Sequence, residues 1–149
     1  VAPPRLPLDS YQDFAAFKIY MHGVGLLGAL SGVNSSLLIE GNNLFTNFKG
    51  SITEQYVLQE LVANGIKPYY WSSDSGNAEV EFILQGNSGT DPLEVKATTN
   101  VRAKSLKTYR EMFKPCFAFR TSLNPYHISG ELYDIPLYAA AENIASLIS

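Results

Sequence analysis

The fold is decided by residues 78–97, which read AEVEFILQGNSGTDPLEVKA. Two apolar runs flank a turn of Gly, Asn, Ser and Asp residues, and this pattern predicts two short strands separated by that turn. Because successive side chains point to opposite faces of a strand, Glu81 and Phe82 are on different faces of the first run. In the second run, Glu94 and Lys96 share the face that Val95 does not occupy. The alternation predicts that Glu81, Glu94 and Lys96 converge at one side of a sheet.

A helix is predicted immediately upstream, over SITEQYVLQELVANG, residues 51–65. Ser51 fits the N-cap, Glu54 completes a capping box, and Gly65 is the C-terminal stop. At 100° per residue, Glu54 falls in line with Leu58 and Leu61 on the apolar stripe, which is an unusual place for a free carboxylate. Two interpretations of Glu54 remain open, namely a helix cap and a fourth member of the charged cluster.

The cluster suggests magnesium chemistry. Glu54, Glu81 and Glu94 with the single cation Lys96 carry an excess of negative charge, which raises carboxyl pKa values unless a divalent cation neutralises it. We expect Mg²⁺ or Mn²⁺ to bind Glu81, Glu94 and the Val95 carbonyl, with water completing the shell. Lys96 would then orient a water or stabilise phosphate charge. The alternative is that these residues are solvated strand positions and an ordinary cross-strand ion pair.

The next predicted helix, residues 103–113, presents a basic face. Its apolar side consists of Leu106, Tyr109, Met112 and Phe113. The opposite side carries Lys104, Lys107, Arg110 and Lys114. Such a face beside an acidic metal site suits a DNA backbone, although a solvated cationic surface is the commoner meaning of such a helix face.

The order of elements predicts an α/β fold. Upstream of the 51–65 helix we expect a strand at 17–21, a short helix at 24–30 and irregular chain at 35–47. Downstream we expect strands at 67–71, 79–85, 92–97, 116–121 and 132–135 and a closing helix at 137–148. The corresponding domain division is a linker at 1–16, an N-terminal extension packed on the core at 17–50, and a core at 51–149.

Composition restricts the class of protein. The chain has 149 residues, 46% of them hydrophobic, and a net charge of −3, which argues against bulk electrostatic coating of nucleic acid. Seven of the eleven Lys and Arg residues nevertheless lie between Lys96 and Arg120. No apolar run approaches about 18 residues and no signal peptide is evident, so we expect a cytoplasmic protein. The single cysteine, Cys116, lies in an apolar run and is expected to be buried.

One competing motif is GVGLLG, Gly23–Gly28, which matches the G-x-G-x-x-G of dinucleotide-binding proteins. Glu40 follows it after an apolar run, but only twelve residues beyond Gly28, and no second α/β half follows. This spacing disfavours a dinucleotide site.

The residues also resemble a known family. The order helix Glu, strand acid, Glu-x-Lys is similar to the PD-(D/E)xK nuclease core. The runs FKIYMHGVGLLGALSG, EGNNLFTNFKGSITEQYVLQEL, YYWSSDSGNAEVEFILQ, LEVKA and AKSLKTYREMFKP resemble the uncharacterised domain that follows the ATPase module in bacterial and archaeal AAA-type ATPases. The proline-rich start VAPPRLPL likewise reads as a connector from a preceding domain.

The resemblance implies a three-layer, restriction-endonuclease-like α/β core with Glu54, Glu81, Glu94 and Lys96 at the motif positions. It also implies an N-terminal ATPase domain as partner. The ATPase domain is not contained in this sequence, because the phosphate-loop motif G-x-x-x-x-G-K-[ST] does not occur here. Two positions depart from the pattern: Glu81 stands where the superfamily usually has Asp, and Gly23 where relatives usually have Asp. The implied functions are Mg²⁺-dependent DNA hydrolysis or DNA binding, or a catalytically silent module for partner recognition or regulation.

Overall fold

A six-stranded mixed sheet is the centre of the computed structural model, which describes residues 1, 3–32 and 44–149. The strands are β1 (Tyr69–Ser72), β2 (Glu79–Gly86), β3 (Gly89–Val95), β4 (Ala118–Ser122), β5 (His127–Ser129) and β6 (Leu132–Pro136). Their spatial order is β1-β2-β3-β4-β6-β5. The pairs β3/β4 and β4/β6 are parallel, and the other three are antiparallel. The predicted α/β class is confirmed.

The hairpin β2–β3 has the register that brings the two predicted acids together. Asn87 and Ser88 form the turn, and Phe82 pairs with Leu93 across the hairpin. The residue before Phe82 and the residue after Leu93 therefore lie opposite each other, and these are Glu81 and Glu94. The charged positions of the two strands thus meet because the turn fixes the register.

Four helices accompany the sheet in the described ranges. They are α1 (Val24–Leu30), α2 (Leu44–Ala63), α3 (Lys104–Phe113) and α4 (Ala140–Ile148). Helix α2 ends as predicted: Gly65 adopts φ +75°, and the Ile66 N–H donates to the Leu61 carbonyl oxygen at 2.9 Å. This is the bond of a Schellman motif, in which glycine tolerates the left-handed conformation.

The predicted start of α2 is wrong. The helix begins at Leu44, seven residues before Ser51, so Ser51 is an interior residue rather than an N-cap. The Thr53 hydroxyl donates to the Lys49 carbonyl oxygen at 2.7 Å, one turn earlier, within continuous helix. Glu54 therefore completes no capping box, which removes the competing explanation of its position.

The core lies on both faces of the sheet. On one face, Val57 and Leu61 of α2 and Ile144 of α4 pack against a cluster that includes Phe82 and Leu93. On the other face, Tyr109 of α3 packs with residues of the second cluster. Its members are Leu8, Trp71, Ala78, Val80, Ile83 and Tyr109. Helices on both faces explain why β2 and β3 are buried over most of their length.

The N-terminal part of the chain contributes to this packing. Leu8, within the segment predicted as a linker, is completely buried, and its N–H donates to Gln85 Oε1 at 3.0 Å. Residues 17–21, predicted as a strand, pair with no strand in the described part of the chain. The Gln55 side chain instead bonds both backbone groups of Met21, at 2.8 and 2.9 Å. That side-chain amide takes the place of a neighbouring strand.

Several smaller predictions are corrected by the structure. Cys116 is exposed rather than buried, because β4 starts only at Ala118. Met112 is 58% exposed, so the apolar side of α3 consists of Leu106, Tyr109 and Phe113. Strand β5 was not predicted, and all three of its residues are exposed at the sheet edge. A strand at the edge of a sheet can be exposed on both faces, and its sequence then lacks the hydrophobic alternation by which strands are predicted.

The structure does not support a dinucleotide-binding site at Gly23–Gly28. GVGLLG does start a helix, α1, but no paired strand precedes it among the described residues. Glu40, and residues 35–43 of the segment predicted to be irregular, lie outside the described residues.

Among the helices of the described ranges, none is long and apolar enough to cross a membrane.

Candidate functional site: a buried carboxylate pair with one lysine

Glu81, Glu94 and Lys96 lie together at the end of the β2–β3 hairpin. The Lys96 ammonium forms an ion pair with Glu94 Oε1. The Val95 N–H donates to Glu81 Oε2 at 3.4 Å, which places the Glu81 carboxyl against the start of the Glu-x-Lys segment. The predicted convergence of these three side chains is therefore present in the structure.

Glu94 is the most buried acid of the group. It is 3% exposed, and its Oε2 atom has no hydrogen-bond partner among the described residues. An unsatisfied buried polar atom of this kind costs about 1–3 kcal/mol, and more when it is charged. A positively charged or proton-donating neighbour at Glu94 Oε2 would remove this cost.

Burial raises the pKa of Glu81 to about 8, and the nearby negative charge of Glu94 adds to the increase. The positive charge of Lys96 opposes this rise in pKa without cancelling it. Glu81 is therefore largely protonated near neutral pH. One proton and one ammonium balance the two carboxyl groups.

Glu54 is held by the N-terminal segment instead. The Tyr20 hydroxyl donates to Glu54 Oε1 at 2.5 Å, and Lys18 Nζ lies 3.3 Å from the same oxygen. Lys18 also pairs with Glu79 Oε1 at 2.6 Å. Within the described ranges, Glu54 makes these contacts rather than contacts with the Glu81 group.

Tyr20 connects the two sets of acids. Burial raises the pKa of Tyr20 above its usual range, and the hydrogen bond to Glu54 raises it further. The charges of Glu54, Glu79 and Glu81 all contribute to that rise, so the phenol lies within electrostatic range of each carboxyl. Lys18 and Tyr20 were missed by the sequence reasoning. The alternation in FKIYM places them on one side of the chain, but only the tertiary structure shows that this side meets Glu54.

Few of the described side chains at this site are available to hold a metal ion. Among the described residues, no group of three or more His, Cys, Asp or Glu side chains has the arrangement of a metal site. Mg²⁺, however, is commonly bound through one or two carboxylates with water completing the shell. Glu81 and Glu94 are two such carboxyl groups, and the Val95 carbonyl is the third protein ligand predicted. Glu94 Oε2 accepts no hydrogen bond from the described residues.

The basic face of α3 is partly neutralised. Arg110 Nη2 lies 3.3 Å from Glu131 Oε2, and Lys107 Nζ lies 3.8 Å from Glu111 Oε1. The exposed Lys104 and Lys114 have no ion-pair partner in the described ranges. The predicted cluster is therefore a cationic surface of reduced charge.

A second buried carboxyl group was not predicted. Asp91 is 1% exposed, accepts a hydrogen bond from the Phe117 N–H at 3.1 Å, and has no described partner for Oδ2. Burial raises the pKa of Asp91 to about 6. In the sequence Asp91 belongs to the turn predicted before the strand at 92–97, and only the packing shows its burial.

Comparison with known families identifies the domain. Residues 49–139 match the family described as a domain of unknown function, DUF4143, and the chain belongs to this family. The match includes β1 to β6 and all four predicted catalytic residues, Glu54, Glu81, Glu94 and Lys96. No curated protein matches the chain, and no solved structure does.

Proposed function

We propose that this DUF4143 domain carries a Mg²⁺- or Mn²⁺-dependent site for DNA phosphodiester hydrolysis, on a core of the PD-(D/E)xK type. The observation that supports the proposal best is the buried Glu94 Oε2 without a described partner, beside a second carboxyl and a lysine. Helices on both sides of a mixed sheet agree with a three-layer restriction-endonuclease-like core.

The fit of a divalent cation rests on the two carboxyl groups. Glu81 and Glu94 would hold it, together with the Val95 carbonyl oxygen. Loss of the proton from Glu81, whose pKa is about 8, frees the second carboxylate for this purpose. When bound, the cation lowers the pKa of a water and neutralises charge on a phosphate.

The remaining residues act through position and charge. Lys96 keeps its ammonium beside Glu94 Oε1, where it orients the carboxylate and attracts a phosphate oxygen. Tyr20 and Lys18 fix Glu54 by two contacts to one oxygen, so this carboxyl is held beside Tyr20, which the charge of Glu81 also reaches. Lys104, Lys107, Arg110 and Lys114 provide a surface that attracts the DNA backbone.

The second candidate is a catalytically silent module that recognises a partner or regulates an ATPase. One observation favours it: a protonated Glu81, Glu94 and Lys96 already form a balanced group without a cation. The longer Glu81 in place of the usual Asp also changes the reach of the first carboxyl. In both candidates, the domain follows a AAA-type ATPase domain in the same polypeptide, as the sequence resemblance implies.

A cleavage assay tests the proposal. Linear and supercoiled DNA are incubated with the protein and Mg²⁺ or Mn²⁺ at pH 8, with EDTA as the blank. We expect cleavage by the wild-type chain and a loss of about 100-fold or more for Glu94→Gln, because the site then lacks one of its two carboxylates. The matched control is Glu142→Gln, an isosteric change at an exposed position of α4. DNA left intact under both metals, with a melting temperature that neither metal changes, selects the silent module.

A further inference from the structure

A cavity rich in aromatic side chains adjoins the carboxylate pair. Its volume is about 330 Å³, and Glu81 contributes to its wall. Phe17, Tyr20, Tyr69 and Tyr70 line it as well. Ligand pockets of proteins start at about 300 Å³ and have walls that are mainly apolar or aromatic. This cavity meets the volume criterion, and its wall combines aromatic side chains with the polar groups of Gln12, Asp13, Lys18 and Glu81.

We propose that this cavity binds one unpaired nucleobase of a single-stranded segment whose backbone passes the Glu81 and Glu94 carboxyl groups. The inference rests on the proposed function and adds a substrate class to it. Aromatic rings bind bases by stacking, and such binding tolerates any base sequence because every base has a π face.

The chemistry of the cavity favours a neutral planar ring over a cationic side chain. Lys18 also lines the cavity, and its ammonium lies 5.2 Å from the centre of the Tyr70 ring. That contact occupies the position that an incoming ammonium or guanidinium group would take. Ion pairs with Glu54 and Glu79 keep Lys18 there. Lys67 covers the Tyr69 ring in the same way, with its ammonium 5.2 Å from the ring centre, so the ring open to a base is that of the exposed Phe17.

Phe17 is the side chain best suited to receive a base. It is 70% exposed although it lines the cavity, so one face of its ring is open to a ligand. Glu81 and Phe82 line the same cavity, which puts it next to the place proposed for the phosphate. A base on Phe17 and a phosphate near Glu81 therefore belong to one strand.

The test measures binding without hydrolysis. A fluorescein-labelled dT12 oligonucleotide is titrated with protein in EDTA at low salt, and fluorescence anisotropy gives Kd. We expect Phe17→Ala to weaken binding about fivefold or more, the loss for one stacked base, and Phe17→Trp to restore it. Phe14→Ala is the matched control, because Phe14 is 84% exposed and lies outside the cavity lining. A central 5-iodouracil should cross-link to the cavity tyrosines or Phe17.

The outcomes separate the two proposals. Equal Kd values for Phe17→Ala and Phe14→Ala, with cross-links elsewhere, overturn the nucleobase site and leave the metal site standing. Cavity binding without metal-dependent cleavage supports the nucleobase site and overturns hydrolysis. Failure of the wild-type chain to bind dT12 in EDTA overturns the nucleobase site, because stacking on Phe17 needs no metal, and leaves metal-dependent DNA binding standing. A Gly-Arg peptide that binds in a Phe17-dependent way while dT12 does not would identify a site for a cationic protein partner instead.

Discussion

The effect of Glu94→Gln on metal-dependent stability tests the candidate site without any substrate. A cation that binds only the folded state, at a hundredfold over its Kd, adds about 2.7 kcal/mol to the free energy of unfolding. For a chain of this size that is a rise in melting temperature of roughly 5–11 °C. Glu94→Gln removes one of two carboxylate ligands and should abolish the rise.

The metal-free protein should change little on the same substitution. Glu94 is the charge that, after burial, raises the pKa of Glu81 most, and its replacement by glutamine removes that repulsion. Glu81 then ionises more readily and replaces Glu94 as the partner of Lys96. We therefore expect the free energy of unfolding to change by less than about 1 kcal/mol. If the ion pair is purely structural, removing one buried partner costs about 3–5 kcal/mol instead.

Thermal unfolding followed by circular dichroism measures both quantities, at pH 8 where Glu81 is about half ionised. Wild type, Glu94→Gln and the exposed control Glu142→Gln are each melted in EDTA, Mg²⁺ and Mn²⁺. We expect Mn²⁺ to give the larger rise, because its affinity for oxygen ligands is generally the higher. A Glu94→Gln protein that keeps the metal-dependent rise refutes the site. So does a fall of more than about 6 °C in EDTA combined with no effect of either metal on wild type.

Three further predictions follow from other parts of the molecule. The folded-state pKa of Asp91, about 6, lies above the ordinary value of 3.8, so its contribution to stability is full below about pH 4 and is lost as pH rises through 6. Asp91→Asn should therefore raise the free energy of unfolding by about 1–2 kcal/mol at pH 7.5 and by nearly nothing at pH 4, in urea titrations at both pH values; an equal effect at both would contradict the assigned burial penalty. Replacement of Lys104 and Lys107 by Gln should reduce the slope of log Kd for DNA against log salt by about 0.9 for each phosphate that is no longer bound, whereas Lys49→Gln, exposed on α2, should not; equal slopes would exclude α3 from the DNA interface. Gly65→Ala should lower the melting temperature by about 2–8 °C, since an L-residue at φ +75° costs about 1–2 kcal/mol; an unchanged melting curve would show that the helix end can rearrange.

Local pattern was sufficient for most of the fold. Alternation and turn residues located β2 and β3 to within three residues at each end, and periodicity located α3 to within one. Gly65 marked the end of α2 because a left-handed position is a local requirement. A local motif misplaced the start of α2. The predicted start was seven residues late, since a capping box can also occur by chance inside a helix.

The sequence by itself determined the α/β class and, through the alternation of side chains along two strands, the convergence of Glu81, Glu94 and Lys96. The two-residue turn and the register of the hairpin came from the structure. Only the tertiary structure decided the environment of these groups. Packing against the sheet buried Glu94 and left Oε2 without a described partner, and it raised the pKa of Glu81 to about 8. It also brought Tyr20 and Lys18 to Glu54 across 34 and 36 residues of chain. Burial and long-range contacts depend on the arrangement of all elements together, and no local pattern encodes them.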